Sequence, residues 1–317
     1  MSKTWPYITG ERLQELADVT ILTDPIRRFH KNLARLPIRQ ALFGGGMGDL
    51  VVDRAEQLEP VKEAEVIFVY THLLEAFFEK IVPRLTRPFI LMSHNSDHVV
   101  DGRFVPYLAD PRLFKWFAQN TAADHKKLVP LPLGVANSQW AHGRLDLLHR
   151  AAYRKGPKTG FVYMNFDART NPAQRQPVFD RLKNHPLVTV SAGLGYEAYL
   201  NELASHHFCI CPPGNGLDCH RIWECFYLGV IPVVSSECRL RGFDSLPILY
   251  VDDWGRLDAD FLKDAYRQMA RRPVRFERAD LGHWRSVIDR ERRILRRTQA
   301  GCDAIFEGES LTGGPWR

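Results

Sequence analysis

The stretch Phe208–Val234, FCICPPGNGLDCHRIWECFYLGVIPVV, concentrates residues whose types and spacing suit a chemical task. An apolar run ends at Cys211, where Pro212 and Pro213 stop it because they have no backbone N–H to give a ladder. Gly214, Asn215 and Gly216 then read as a turn free to adopt positive dihedrals and to let a ligand reach the main chain. Asp218 stands where the N-cap of a helix over Asp218–Leu228 belongs. The free amides and dipole of such a helix start suit a diphosphate. Arg221 and Glu224, three residues apart, fall within about 60° of each other. Ile222, Cys225, Phe226 and Gly229 make a separate apolar face. A guanidinium there can grip a phosphate bidentately, and a carboxylate one turn on can accept both ribose hydroxyls. The plainer alternative is an Arg–Glu surface pair worth about 0.3–0.5 kcal/mol after an ordinary Gly-rich turn.

Placing these residues requires strands and helices in alternation. Val66–Tyr70 and Phe89–Met92 are short apolar runs that read as buried strands. His72–Leu85, with apolar residues at helical spacing, joins them in a parallel crossover unit, and a third unit closes with Val129–Val135. From Asn137 to Pro157 the sequence turns polar, which reads as a connection between lobes. Beyond it, strands are expected at Gly160–Asn165, Leu187–Val190, Phe208–Cys211, Val230–Val234 and Ile248–Val251. Helices are expected at Ala173–Lys183, Tyr196–Ser205, Asp258–Ala270 and Ala279–Thr298. The fold class is therefore α/β, with two Rossmann-like lobes over residues 1–142 and 143–317 and ligands at strand carboxyl ends in the cleft between them.

The chain of 317 residues, 45% hydrophobic and 25% charged, is long enough for two lobes with ample cores. Its six cysteines lack the spacing of a secreted disulfide framework, so reduced thiols in the cytoplasm are expected. The N-terminus has no signal-peptide core, and no apolar run approaches the roughly 20 residues of a membrane span. The net charge of +6 hints at an anionic ligand or surface. Arg285, Arg290, Arg292, Arg293, Arg296 and Arg297 carry much of it, either as a solvated helix face or as a peripheral membrane or polyanion contact. No nucleic-acid-binding module accompanies the charge.

The Gly-rich turn, Arg221-x-x-Glu224 and Gly229-x-x-Pro232-Val233-Val234 together resemble the donor lobe of exostosin-like glycosyltransferases, which have the GT-B fold. The phrases SHNSD and LPLGVANSQW in the first half are similar too. The resemblance implies sugar transfer from a UDP- or GDP-linked donor to a glycan or lipid-linked glycan acceptor, with inversion and without a catalytic metal or other cofactor. Donor-binding candidates are Gly214, Asn215, Gly216, Asp218, Arg221 and Glu224, joined by Asn165, Arg169 and Arg175 from the loop and helix after the strand Gly160–Asn165. Arg169 or Arg175 would hold a second phosphate, unless both are simply solvated. Such a reaction needs a base for the acceptor hydroxyl and stabilisation of the departing diphosphate. Asp97 is the first candidate base, His94 the second and His72 a third, the alternative being an Asx-type turn at Ser93–Asp97. Arg221 would stabilise the leaving group.

Other signals point elsewhere. The Gly-rich phrase Phe43–Leu50 lacks P-loop spacing and reads as a turn near the cleft. Its GGG-x-x-GD is also similar to polysaccharide pyruvyltransferases, leaving group transfer from phosphoenolpyruvate as an alternative, beside a non-catalytic glycan- or nucleotide-binding protein. Asp258 and Asp260 fit a helix start better than a metal site. Cys209, Cys211, Cys219, His206 and His207 match no zinc spacing.

Overall fold

The computed structural model describes residues 5–154, 156–271 and 275–308, with side chains to residue 300. The first sheet contains β1 (Val19–Thr23), β2 (Arg39–Phe43), β3 (Val66–Tyr70), β4 (Phe89–His94), β5 (Leu113–Ala118) and β6 (Leu128–Pro130), in the order β2-β1-β3-β4-β5-β6. The second contains β7 (Gly160–Met164), β8 (Val188–Val190), β9 (His206–Ile210), β10 (Ile231–Ser235) and β11 (Leu249–Val251), in the order β11-β10-β9-β7-β8. Strand pairing is parallel in both. The expected class, two Rossmann-like α/β lobes, is the one observed.

Burial explains the strand sequences. β1, β3 and β4 are buried along their whole length, as strands covered on both faces must be; β3 is apolar throughout, whereas β1 includes Thr20 and Thr23 and β4 ends in Ser93 and His94. β2 lies at an edge, and its Arg39 stays exposed. In each sheet the strand order changes direction once, between β1 and β3 and between β7 and β9. Crevices open at the carboxyl ends of such strand pairs.

Several elements differ from the sequence reading. The segment expected as one helix over His72–Leu85 breaks into a 3-10 turn, a short α turn, a π-helical stretch at Phe77–Ile81 and another 3-10 turn at Val82–Arg84. Pro83 donates no hydrogen bond that could prolong it. Of the run Val129–Val135 expected to close a third unit, only Val129 and Pro130 are strand, as the end of Leu128–Pro130, since Pro130 and Pro132 cannot donate to a ladder. The polar stretch 137–157 contains the helix Leu145–Arg154, with Leu148 and Ala151 buried.

The last helix, Leu281–Gly308, crosses back to the first lobe. Leu281, Trp284, Ile288 and Leu295 are buried at helical spacing, and the Leu281 amide donates to the Pro6 carbonyl at 2.9 Å. Five of its six arginines, Arg285, Arg290, Arg293, Arg296 and Arg297, are exposed, and Arg292 is half-buried. Arg292 pairs with Asp18 at 2.7 Å, and Arg296 pairs with Glu65 at 2.6 Å. Arg285, Arg293 and Arg297 remain exposed. One apolar core joins residues of the first sheet to Trp223 and Phe226 of the second lobe, and a second core fills the space around β7, β9 and β10.

Candidate active site

The donor-side candidates gather where the second sheet changes direction. The loop after β7 carries Asn165, Phe166, Arg169 and Asn171; the loop after β9 carries Pro213–Gly216. The Asn171 carboxamide donates to the Gly214 carbonyl at 2.7 Å, and Arg175 Nε donates to the Pro213 carbonyl at 2.9 Å. Arg175 Nη1 donates to the Asp167 carbonyl at 3.0 Å. The guanidinium of Arg175 thus splints the two loops together. A Cβ on Gly214 would stand 3.1 Å from Arg175 Nη2, so the turn needs glycine for the approach of a side chain. None of Gly214, Asn215 and Gly216 has positive φ. The expected dihedral freedom is not what this turn uses.

Phe166 brings two cations together. The guanidinium carbons of Arg175 and Arg221 lie 5.7 and 5.9 Å from its ring centroid, within range of cation–π attraction. Neither arginine pairs with a carboxylate among the described residues, and Arg221 Nε is buried without a partner. Burial lowers the Arg175 pKa, and the charge of Arg221 lowers it further. Two unneutralised guanidiniums on one ring are a site with a positive surplus. Arg169 does not join them. Its side chain is 91% exposed and pairs with Asp167 at 2.8 Å in a solvated turn. Asn165 donates to the Tyr163 hydroxyl at 2.9 Å.

The helix over His220–Tyr227 begins later than expected, and Asp218 does not cap it. The N-cap is Cys219, with no side-chain cap. The buried Asp218 carboxylate instead accepts from the Leu133 amide at 2.9 Å and from the Trp223 indole at 2.8 Å. Its pKa is pushed up to about 7 by burial, against those hydrogen bonds. His220 bonds the Gly134 carbonyl at 2.7 Å, and the Asp218 amide donates to Asn120 Oδ1 at 3.3 Å. The helix start is therefore braced against the first lobe rather than left open. The reason is sequence distance: the partners lie 85 to 98 residues away. Glu224 forms no surface pair with Arg221. It is 4% exposed and accepts from the hydroxyls of Tyr196 at 3.0 Å and Tyr199 at 2.7 Å.

Asp97 faces this site from the first lobe, exposed, accepting from the Asn215 carboxamide at 3.2 Å. His94 is buried, and both of its ring nitrogens are taken. Nε2 meets the Pro132 carbonyl at 2.9 Å, and Nδ1 accepts from the Asn95 amide at 2.7 Å. Burial lowers its pKa. Asn95 itself sits at φ 59°, a backbone that asparagine tolerates better than most residues.

The switch point of the first sheet holds a group that sequence reasoning found only in part. His72 follows β3, the one signal that placed it among the candidates. His30 and His98 had no such marker. Burial, then neighbouring imidazole, lowers His30 and His72 to about 4 each. Thr71 Oγ1, His72 Nε2 and Gln139 Oε1 are buried without partners. Beside them the exposed rings of Phe29 and Trp140 stand 6.1 Å apart. The Gly-rich phrase after β2 folds back through a Gly44–Val51 bridge, and its Asp49 pairs with Lys80 at 2.6 Å. Asp258 caps its helix through the Phe261 amide at 2.8 Å.

The sequence matches no family model and no curated protein. Solved structures do match along its length. Anabaena HepE in complex with UDP-glucose is 11% identical, with a TM-score of 0.44, over 94% of this chain and 98% of that one. The kitacinnamycin glycotransferase is 14% identical, with a TM-score of 0.39, over 94% of both chains. UDP-GlcNAc 2-epimerase from Methanocaldococcus jannaschii is 11% identical, with a TM-score of 0.35, over 81% of this chain and 93% of that one. Superpositions this loose, at such identity, say nothing about substrate. Among the described residues, no helix is long and apolar enough to cross a membrane.

Proposed function

We propose that this chain is a glycosyltransferase of exostosin-like type, moving a sugar from a nucleoside-diphosphate donor to a hydroxyl of a glycan or glycoconjugate. The observation that carries the reading is the pair Arg175 and Arg221, converging on Phe166 beside Gly214 without an ion pair to any carboxylate among the described residues. A diphosphate supplies the missing charge, and charge-assisted hydrogen bonds to it are the strong kind. Residues 143–317 form the donor lobe and residues 1–142 the acceptor lobe in this reading.

Asp97 serves as the base, because it is exposed across the cleft whereas His94 is committed to the backbone on both nitrogens. It takes the proton of the acceptor hydroxyl as that oxygen bonds the anomeric carbon. The carbon–oxygen bond to the diphosphate breaks with inversion, its electron pair leaving on the phosphate, where the two guanidiniums stabilise it. No catalytic metal takes part. The unpartnered Thr71, His72 and Gln139 atoms offer hydrogen bonds to acceptor hydroxyls, and Phe29 and Trp140 offer an apolar face for a sugar ring. Contact with an anionic membrane surface would fall to Arg285, Arg293 and Arg297.

Calorimetric titration with UDP and GDP tests the proposal. One of them is expected to bind, and Arg221→Ala to weaken it at least tenfold, a loss of about 1.5–3 kcal/mol for hydrogen bonds to a charged group. Equal affinity in the variant, or stabilisation by phosphoenolpyruvate and by neither nucleotide, would overturn it.

A further inference from the structure

Behind the two guanidiniums lies a group of thiols with no part in sugar transfer. Cys209 is on β9 and Cys211 follows its end, two residues on and so on the same face. Cys225 projects from the helix His220–Tyr227, one turn beyond Arg221. The three Sγ atoms all lie within 4.8 Å of one another, and all three residues are buried. No disulfide ties them. In a zinc–thiolate site, metal–sulfur bonds of about 2.3 Å set sulfurs about 3.8 Å apart, so the trio is nearly at ligand spacing.

Charge bears on the trio as well, through an arginine that it shares with the diphosphate reading. Three thiolates around Zn²⁺ carry a net charge of −1, which is costly to bury unless paired. Arg221 lies one turn before Cys225, and among the described residues it pairs with no carboxylate and its buried Nε bonds nothing. A tri-thiolate zinc site beside it would be neutral overall. The geometry points to a soft-metal site: Cys209, Cys211 and Cys225 bind Zn²⁺, releasing three protons as they do. The two histidines next to β9 take no part. His206 is bonded to the Glu202 carbonyl at 2.7 Å, and His207 packs against Phe161 and Tyr266. Sequence spacing concealed the site because its third ligand comes from a helix rather than from a second Cys-x-Cys pair. This inference stands apart from the transfer reading, since a chain that bound zinc and no nucleotide would keep it.

Titration of the reduced full chain with Zn²⁺ against a chromophoric chelator, and with Co²⁺ for its sulfur-to-metal charge-transfer band, provides the test. One equivalent per chain is expected, with the band present. Cys209→Ser and Cys225→Ser should each weaken binding by well over tenfold, more than loss of an outer-shell partner costs. Cys238→Ser, outside the trio, should leave it unchanged. If the serine variants fail to fold, X-ray absorption of the zinc-loaded wild type decides, with sulfur the expected neighbour. No bound equivalent, coordination by nitrogen and oxygen alone, or full binding in folded Cys209→Ser protein would overturn the site.

Discussion

Arg175 and Arg221 touch the same ring but carry different structural loads. Arg175 donates to the carbonyls of Pro213 and Asp167, so its removal strips the buried Pro213 carbonyl and the outer Asp167 carbonyl of their donor. Arg221 forms no such bond with the backbone. Arg175→Ala is therefore expected to lower both nucleotide affinity and stability, by roughly 1–3 kcal/mol for the stranded carbonyls. Arg221→Ala should lower affinity alone. Parallel calorimetry and urea denaturation separate the two, and an equal stability loss in both variants would count against this division of labour. The buried histidines of the first lobe predict a pH dependence. His30 and His72 titrate near 4 in the fold, depressed by burial, against about 6.5 in the unfolded chain. The unfolded chain binds more protons between those values, so stability is fully present above about pH 6.5 and falls as pH drops towards 4. His72→Asn should flatten that acid limb. Denaturation midpoints measured from pH 4 to pH 7 would show it, and superimposable limbs would refute it.

At the scale of elements, the two switch points do the positioning. β7 and β9 present Phe166 and the Pro213–Gly216 turn, while β3 presents Thr71 and His72. This much was legible, because β7, β9 and β3 are short apolar runs with polar residues at their carboxyl ends. The bracing of the turn was not. A Cβ on Gly216 would lie 2.6 Å from Asn120 Nδ2, and Asn120 sits at φ 53°; that contact joins residues far apart in sequence. Gly216→Ala should cost about 1–3 kcal/mol by overpacking, and Asn120→Gly in the same chain should recover part of it. Thermal melts of the single and double variants measure this coupling, and additive losses would exclude it. The same distance hid the burial of Glu224, whose tyrosine partners lie on another helix, and the joint role of Asp218. β1 went unread because Thr20 and Thr23 interrupt its short apolar run, and β2 because it opens with exposed Arg39 and an edge strand's alternation is short. The helix Leu145–Arg154 went unread because it lies in a polar stretch and only Leu148 and Ala151 of it are buried.

Across the whole molecule, the last helix ties the lobes into one body. Arg292 reaches both Asp18, at 2.7 Å, and Glu65, at 3.5 Å, in a partly sheltered position where ion pairs outperform fully solvated ones. Arg292→Ala should cost roughly 1–3 kcal/mol, whereas Arg293→Ala, on the exposed side, should stay within about 0.5 kcal/mol. Denaturant titrations of both variants check the contrast, and equal effects would mean the clamp contributes nothing. The helix has a bearing on how the protein is made. All six strands of the first sheet have been synthesised by Pro130, yet Leu281, Trp284 and Arg292, which pack against the first lobe, follow only after about 150 further residues. During that interval the nascent first lobe lacks the cover that Leu281, Trp284 and Ile288 give it in the finished fold, and apolar surface exposed in this way is prone to aggregation.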